Sequence, residues 1–334
     1  MHPIIDLHCD LLSYLALNPK CTPHDLCARC AISQLREGNV KLQVMAAFTK
    51  TEPGALQEGL NQIRIYQELA LHYSKDFTPF TESFSPFESA AAPITTLLAI
   101  ENASGVFDEK ESFDIGLKRL NHIIDHIAPL FYISLTWNSE NRFGGGAHSQ
   151  IGLKEDGKLL LEQLHQRKVA VDLSHASDAL ACEIIDFIES QNLDIPLLAS
   201  HSNARAIVDV PRNLPDEIAR EIFRRKGVIG MNFYYPFVGN TEDYFLKHLS
   251  HWLEIGGEDH IALGADFFYE GDLFSKNQQD KKNYFDQFQN ASCYSRLLQM
   301  AKKELGLSDL LLDKFAHRNF LNCFDEKWQL SFTL

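Results

Sequence analysis

Short apolar runs rich in β-branched residues alternate along the chain with longer segments of helical periodicity. Period two in the short runs and a period near 3.6 in the long ones predict strands and helices in turn. The predicted strands are 4–10, 40–49, 96–102, 131–137, 169–175, 196–202, 228–235 and 261–267. The predicted helices are 57–73, 115–127, 158–166, 179–191, 216–225, 242–255, 284–305 and 309–320. Strands that alternate with helices in this way indicate an α/β fold with a parallel sheet.

The pattern of eight strand-then-helix units predicts a closed (β/α)8 TIM barrel. Runs such as 131–135 and 169–173 are apolar almost throughout, as is typical of parallel strands buried on both faces. A doubly wound open sheet is the alternative, but no GxGxxG motif follows any predicted strand. Because α/β barrels often reach this length as one domain, we assign residues 1–334 to a single barrel. Loops are predicted at 77–93 and 267–283.

The charge balance limits which partners the chain can bind. Its formal net charge is −14 and its pI is about 5.4, and an acidic surface repels nucleic-acid phosphates and anionic membranes. No apolar run reaches the ~20 residues that span a bilayer. Asp6 and Asp10 interrupt the first apolar residues, and no basic segment precedes them as in a signal peptide. We therefore expect a cytoplasmic protein that binds neither nucleic acid nor membrane.

The seven cysteines are scattered and odd in number, which is typical of reduced thiols in a cytosolic protein. Cys27 and Cys30 form a lone CxxC motif, with Cys21 and His24 just upstream. These four side chains could complete a zinc knuckle. Short isolated motifs usually mislead, however, and a loop with free thiols is the favoured interpretation.

Potential metal ligands stand at the carboxyl ends of five predicted strands. They are His8 and Asp10 in the first strand, Glu101 in the third, His175 in the fifth, His201 in the sixth and Asp266 in the eighth. A barrel gathers its strand ends into one ring, so residues distant in sequence become neighbours. Each residue alone would more often be a helix cap or a solvated side chain, but their joint placement predicts a shared site.

The residue types in this set suit divalent metals. Residues i and i+2 of a strand point to the same side, so His8 and Asp10 can reach one ion together. Imidazoles and carboxylates are ligands for zinc, manganese or iron. The set suffices for two ions if Glu101 bridges them, so the sequence predicts a binuclear centre.

Several longer motifs surround these residues. They are IDLHCD at 5–10, AIE at 99–101, VDLSH at 171–175, SHS at 200–202, PRNLPD at 211–216 and IALGADF at 261–267. Nearly end to end, the chain resembles the membrane (renal) dipeptidase family, peptidase family M19, in its bacterial form. That family has HxD on its first strand, where related amidohydrolases have HxH, and this chain has HxD at His8 and Asp10.

The resemblance implies a metal-dependent hydrolase barrel with two zinc ions, in whose place other divalent metals could bind. It implies that His8 and Asp10 hold one zinc ion, that His175 and His201 hold the other, and that Glu101 bridges the two. The nucleophile would be a hydroxide that bridges the metals, because metal binding lowers the pKa of water to about 7.

Three further positions match functional residues of the family. Asp266 matches the acid–base carboxylate, which takes a proton from the nucleophile and passes it to the leaving amine. Arg212 matches the residue that pairs with the free carboxylate of the substrate, for which a guanidinium fork is well suited. Tyr234 matches a tyrosine of the substrate pocket.

Two positions depart from the family pattern. Many of its dipeptidases carry a histidine at the end of the fourth strand that helps to bind the tetrahedral intermediate, and here Trp137 stands at that position. Because an indole has one hydrogen-bond donor and no charge, the oxyanion donor is left open between Asn138 and His148. After the eighth strand, Asp266 is followed by FFY instead of the more frequent FDG, which predicts a more aromatic pocket wall.

We therefore expect a dipeptidase that binds a small dipeptide, contacts it through Arg212, Tyr234 and Asn138, and forms homodimers as the family often does. One alternative is a hydrolase of another amide, such as an acylated amino acid or a lactam. A second, prompted by Trp137, is a metal-binding barrel that has lost catalysis. A phosphoesterase barrel is disfavoured by the HxD motif and the acidic surface.

Overall fold

The computed structural model describes residues 2–81, 84–87, 89, 91–273 and 282–327. Within these ranges the strands form one sheet in which every strand pair is parallel. The strands are β1 Ile4–Cys9, β2 Val40–Phe48, β3 Phe77–Pro79, β4 Ile94–Glu101, β5 Leu130–Ser134, β6 Ala170–Asp172, β7 Leu197–Leu198, β8 Ile229–Met231 and β9 Ile261–Leu263. Their order is β7-β6-β5-β4-β2-β1-β9-β8, and β3 pairs with β4 beside this path.

The two ends of this sheet meet, which closes it into a barrel. Ala199, next to β7, forms a parallel bridge with Ile229 of β8. The backbone N of Ala199 donates to the carbonyl O of Val228 at 3.0 Å, and the N of Gly230 donates to the O of Ala199 at 2.8 Å. The predicted (β/α)8 TIM barrel is therefore confirmed. Each of its eight strands overlaps a predicted one, although β4 and β5 begin two residues and one residue earlier than predicted.

The helices lie between the strands, mostly where the periodicity predicts them. They are α1 Leu11–Leu17, α2 Ile32–Glu37, α3 Ala55–His72, α4 Phe113–His126, α5 Glu155–Arg167, α6 Asp178–Ser190, α7 Asp216–Arg224, α8 Tyr235–Val238, α9 Tyr244–Glu254, α10 Glu270–Leu273, α11 Tyr294–Leu305, α12 Asp309–Asp313 and α13 Asn319–Lys327. The side chains of Ser177 and Ser308 cap α6 and α12 by accepting hydrogen bonds from backbone N–H groups. None of the helices in the described ranges is long and apolar enough to cross a bilayer.

Two predicted segments begin differently in the structure, and one predicted loop contains a short helix. The segment 77–93 does not begin as a loop, because residues 77–79 pair with 94–96 as the extra strand β3. The helix expected from residue 284 begins at Tyr294, after a turn at 291–293 that the side chain of Asn290 caps. The loop expected at 267–283 contains the short helix α10, and its residues 274–281 lie outside the described part of the chain.

A β-bulge in β1 turns the side chain of His8 into the barrel. Asp6 pairs with Gln43 and Cys9 pairs with Met45. An advance of three residues along β1 therefore lies opposite an advance of only two residues along β2, which is a β-bulge. Asp6 points outward, where it accepts a hydrogen bond from the hydroxyl of Tyr294 on α11. His8, two residues later, instead contacts Tyr132, which belongs to the apolar cluster inside the barrel.

Candidate metal centre

The barrel brings all six predicted ligand and acid–base residues together at the carboxyl end of its strands. His8 and Glu101 lie within β1 and β4, whereas the others follow β1, β6, β7 and β9 by one to three residues. All six side chains are buried: His8, Asp10, Glu101, His175, His201 and Asp266. Buried ionisable groups are unfavourable unless they are paired or bind a metal, so this cluster is a candidate functional site.

Glu101 lies between two groups of histidines. Its Oε2 atom is 3.2 Å from Nε2 of His8. Its Oε1 atom is 2.8 Å from Nε2 of His175 and 3.7 Å from Nε2 of His201. One carboxylate oxygen thus faces each side, which is the arrangement that a bridging ligand requires.

His8 also faces two further carboxylates. Its Nε2 atom lies 3.8 Å from Oδ2 of Asp10 and 3.8 Å from Oδ1 of Asp266. Although fully buried, this nitrogen makes no hydrogen bond within the described chain. Two compact sets of potential ligand atoms result, one from His8, Asp10 and Asp266 and one from His8, Glu101 and His201. Imidazole nitrogens and carboxylate oxygens at this spacing fit a divalent cation such as zinc.

The electrostatics of the cluster also suit a cation. Burial raises the pKa of Asp266 well above its usual range, and the charges of Asp10 and Glu101 raise it further against the opposing effect of His8. Burial would raise the pKa of Glu101 too, but His8 and His175 outweigh it and hold the pKa below its usual range. A divalent ion would offset the repulsion among these three carboxylates.

His175 and His201 are held as neutral imidazoles. Burial and then the charge of Arg212 lower the pKa of His175 to about 4. Burial, followed by the charges of His8 and Arg212, lowers the pKa of His201 well below its ordinary value. Neutral imidazole is the form that binds metals.

Asp266 has an unusual backbone conformation. Its φ of 60° lies in the left-handed region, which is uncommon for a residue other than glycine. Its backbone N donates to the O of His8 at 3.2 Å, and its own O accepts from the hydroxyl of Tyr284 at 2.6 Å. Oδ2 accepts from Nδ2 of Asn232 at 2.9 Å, which leaves Oδ1 facing His8.

Arg212 lies beside the cluster and is almost fully buried. Its Nη1 donates to Oγ of Ser202 at 2.8 Å and its Nη2 donates to the O of His201 at 2.9 Å. The guanidinium carbon lies 5.6 Å from the ring centroid of Phe237. Nε has no hydrogen-bond partner within the described chain, so a buried donor is available to an anionic ligand.

Tyr234 is half-buried among aromatic rings near Asp266. Its ring centroid lies 4.9 Å from that of Phe237 and 5.4 Å from that of Phe268. Burial and then the charge of Asp266 raise the pKa of Tyr234 to about 12. Phe268, from the FFY segment, thus packs against Tyr234.

The residues after β5 form another wall of the site. The Trp137 ring packs 5.1 Å from that of Phe48 and 6.0 Å from that of His175, between ring centroids. Asn138, predicted to contact substrate, accepts a hydrogen bond at Oδ1 from Nδ1 of His175 at 2.9 Å. An open cavity of about 540 Å³ adjoins these residues and is lined by Trp137, Asn138, Ser139, Glu140, His148 and Ser149.

Sequence reasoning missed several buried polar residues that support the side chains of the candidate metal centre. Asp6 accepts hydrogen bonds from the backbone N atoms of His8 and Ala265, and so links the two strands that carry His8 and Asp266. Asp172 and Ser200 hold the strands that precede His175 and His201. A charged residue within an otherwise apolar strand, as at Asp172, is the signal that could have indicated them.

The four side chains considered for a zinc knuckle, Cys21, His24, Cys27 and Cys30, do not form a compact ligand group in the described part of the chain. Within the described chain, compact groups of three or more potential ligands occur only at the strand ends. Cys27 is exposed and Cys30 is buried, and both are free thiols. Residues 26–28 form a 3-10 turn just before Cys30.

Comparison with known proteins gives the same family as the motifs. The sequence model of the family described as membrane dipeptidase (peptidase family M19) matches residues 1–331. An uncharacterised dipeptidase of Schizosaccharomyces pombe is 26% identical over 96% of this chain and 79% of its own length. An uncharacterised protein from the pqqA 5' region of Klebsiella pneumoniae is 31% identical over 58% of this chain and 70% of its own length.

A solved structure shares the fold over nearly its full length. It is a metallopeptidase from Rhodobacter sphaeroides, bound to a phosphinate mimic of the dipeptide L-Ala-D-Ala. The TM-score is 0.79 at 21% identity, and the alignment covers 98% of this chain and 99% of that one. With the family model matching almost the whole sequence, this chain belongs to the membrane dipeptidase family, peptidase family M19.

Proposed function

We propose that this protein is a dipeptidase that hydrolyses dipeptides at a binuclear zinc centre, with residues 1–334 acting as one catalytic domain. The observation that carries the proposal is the position of Glu101, whose two oxygens face His8 on one side and His175 on the other at 3.2 and 2.8 Å. Membership of the family and the dipeptide mimic bound by the Rhodobacter sphaeroides enzyme support this substrate class.

In this proposal each ion has its own ligands. His8 and Asp10 would hold one ion, His175 and His201 would hold the other, and Glu101 would bridge them. When bound, two divalent ions supply an activated water and stabilise negative charge on the scissile carbonyl. Other divalent metals could bind the same nitrogen and oxygen donors.

Asp266 is the proposed general base and acid. Because Asn232 occupies Oδ2, the proton is accepted at Oδ1, the oxygen that faces the ligand cluster. The same oxygen then gives the proton to the leaving amine, so that one water is added across the amide bond. The fixed backbone of Asp266 keeps this oxygen in place through both transfers.

Arg212 and Tyr234 are the proposed contacts for the substrate. The free Nε–H of Arg212 offers a charge-assisted hydrogen bond to the terminal carboxylate of a dipeptide. Tyr234 and its aromatic neighbours offer an apolar surface to a side chain. Asn138 lines the cavity beside Trp137, where its amide N–H group would contact the substrate while Oδ1 orients His175.

Hydrolysis of L-L and L-D dipeptides by zinc-loaded protein tests the proposal. We expect turnover by the wild type, none by His175→Ala, and wild-type turnover by His122→Ala, which changes an exposed histidine on the outer helix α4. N-acyl amino acids and lactams belong in the same panel. Cleavage of these compounds but of no dipeptide would contradict the proposal and favour a different amide substrate.

A second candidate function is metal binding without catalysis. It is favoured by Trp137, which lies against His175 at the position where many dipeptidases of the family carry a histidine. Two metals bound per chain with no turnover on any member of the panel would support this alternative.

A further inference from the structure

A buried hydrogen-bond network behind the candidate metal centre is organised around Asp172. Its Oδ1 accepts from the N and Oγ of Ser174 at 3.0 and 2.7 Å and from the N of Ser200 at 2.9 Å. Its Oδ2 accepts from Oγ of Ser134 at 2.9 Å and from Oγ of Ser200 at 2.7 Å. The carboxylate therefore ties together the ends of β5, β6 and β7.

Ser200 connects this carboxylate to His201. Its Oγ lies 2.6 Å from Nδ1 of His201 and 2.7 Å from Oδ2 of Asp172. All of these groups are buried. A hydroxyl has one proton and an ionised carboxylate has none. The hydroxyl proton of Ser200 is therefore donated to Asp172, and the proton between Ser200 and His201 belongs to the imidazole.

This direction of donation decides which ring nitrogen of His201 is available. With its proton on Nδ1, the neutral ring has its lone pair on Nε2. That atom lies 3.0 Å from Nε2 of His175, whose Nδ1 is bonded in the same way to Oδ1 of Asn138. Two ring lone pairs thus converge on one point, an arrangement that a cation would stabilise.

We propose that Asp172 and Ser200 are positioning residues, which fix His201 in the Nδ1–H tautomer and so present its Nε2 to a metal ion. The proposal rests on the metal centre proposed above. Groups that hydrogen-bond to a ligand histidine orient it, and their loss typically reduces metal affinity by about 10–100-fold.

The hydrogen-bonded link from Asp172 through Ser200 to His201 is called the relay below. Two substitutions test it, one by reversing the direction of donation and the other by removing the link. In Asp172→Asn, the amide occupies the carboxylate site, and its N–H₂ group can donate to Ser200 in place of Oδ2. The hydroxyl of Ser200 would then donate to Nδ1 of His201, which would move the ring proton to Nε2. Ser200→Ala removes the relay and leaves the other hydrogen bonds of Asp172 in place. Ser134→Ala is the matched control, because it removes a hydrogen bond to the same Oδ2 atom without touching His201.

The first measurement is the tautomer of His201 in metal-free protein, by ¹⁵N NMR of labelled histidine at pH 8, with assignment from His201→Gln. We expect the Nδ1–H form in the wild type and in Ser134→Ala, and the Nε2–H form in Asp172→Asn.

The second measurement is the zinc affinity of each protein, by competition with a chelator. We expect Ser200→Ala to bind one of two zinc ions about 10–100-fold more weakly and Ser134→Ala to match the wild type.

An Nε2–H tautomer in the wild type, or wild-type zinc affinity in Ser200→Ala, would overturn the proposal. If Asp172→Asn fails to fold, Ser200→Ala and the wild-type tautomer still decide it. Neither measurement depends on hydrolysis, so a protein that binds two zinc ions through this relay but cleaves no dipeptide would refute only the proposed function. A protein that binds no zinc would refute both the metal centre and the role of the relay.

Discussion

At the scale of single residues, Asp266 combines an unfavourable backbone conformation with a fixed carboxylate. Its φ of 60° costs on the order of 1–3 kcal/mol for a residue other than glycine. Hydrogen bonds from the hydroxyl of Tyr284 and to the O of His8 hold the backbone in this conformation. Strain of this kind is retained where a side chain must be held in one position.

Asp266→Asn tests the proton-transfer role. The amide keeps the size of the side chain but has no basic oxygen, so we expect kcat to fall by about 10²–10⁴-fold, the usual contribution of general acid–base catalysis. Steady-state kinetics on a cleaved dipeptide, with metal content measured on the same sample, checks this. A kcat within threefold of wild type at full metal content would remove Asp266 from the mechanism.

Arg212→Lys tests recognition of the terminal carboxylate. Lysine keeps the charge but loses the planar fork and the Nε–H donor, so we expect at least a tenfold loss of kcat/KM for free dipeptides, or about 1.4 kcal/mol. Dipeptide amides, which lack the carboxylate, serve as the matched substrates and should show a much smaller change. Equal losses on both substrates would mean that the guanidinium has a structural role only.

The residues of the candidate metal centre could be predicted from sequence, whereas the residues that support them could not. His8, Glu101 and His201 are recognisable because polar residues at strand ends converge in a barrel. The link from Asp172 through Ser200 depends on hydrogen bonds between strands that are adjacent only after folding. Asn138 illustrates the same limit, since only the folded chain places its amide oxygen against His175.

At the scale of elements, the bulge in β1 limits what periodicity can predict. Strict alternation would put Asp6 and His8 on the same face, but the extra residue between Asp6 and Cys9 separates them. Asp6 consequently faces α11 while His8 faces the barrel interior. The eight strands follow from the apolar pattern, but the direction of the His8 side chain follows from the pairing of β1 with β2.

The junction between β7, β8 and β9 requires glycine. A Cβ on Gly230 would lie 2.0 Å from the carbonyl O of Ser200, and a Cβ on Gly264 would lie 1.8 Å from the same atom. Because the obstacle is backbone, we expect Gly230→Ala to lower the free energy of unfolding by about 3 kcal/mol, the upper end of overpacking costs.

Urea unfolding of Gly230→Ala beside Gly306→Ala measures this cost. Gly306 has a φ of 66° and nothing within 4 Å of an added Cβ, so its substitution should cost about 1 kcal/mol from the backbone alone. If the two variants lose the same stability, close approach to Ser200 does not constrain the barrel closure.

At the scale of the whole molecule, the buried histidines link the stability of the metal-free barrel to pH. The pKa of His175 is lowered to about 4 by burial and by Arg212, whereas an unfolded histidine titrates near ~6.5. Between these values the unfolded chain binds a proton that the folded chain does not. The contribution of His175 is therefore fully present above about pH 6.5 and is lost as the pH falls toward 4.

Comparison of the wild type with His175→Asn isolates this contribution. Asp266, whose pKa is raised, acts in the opposite direction over part of the same range, but it is present in both proteins. We expect the stability of the wild type to fall more steeply than that of the variant between pH 6.5 and 4, by up to about 1.4 kcal/mol per pH unit midway through this range. Urea unfolding of the two metal-free proteins at pH 7, 6, 5 and 4 measures the difference.

Parallel pH profiles of the wild type and His175→Asn would mean that His175 is not held neutral by the fold. An added excess of zinc should raise the stability of the wild type most at and above pH 6.5 and make its profile steeper, because the ion competes with protons for the side chains of the folded site.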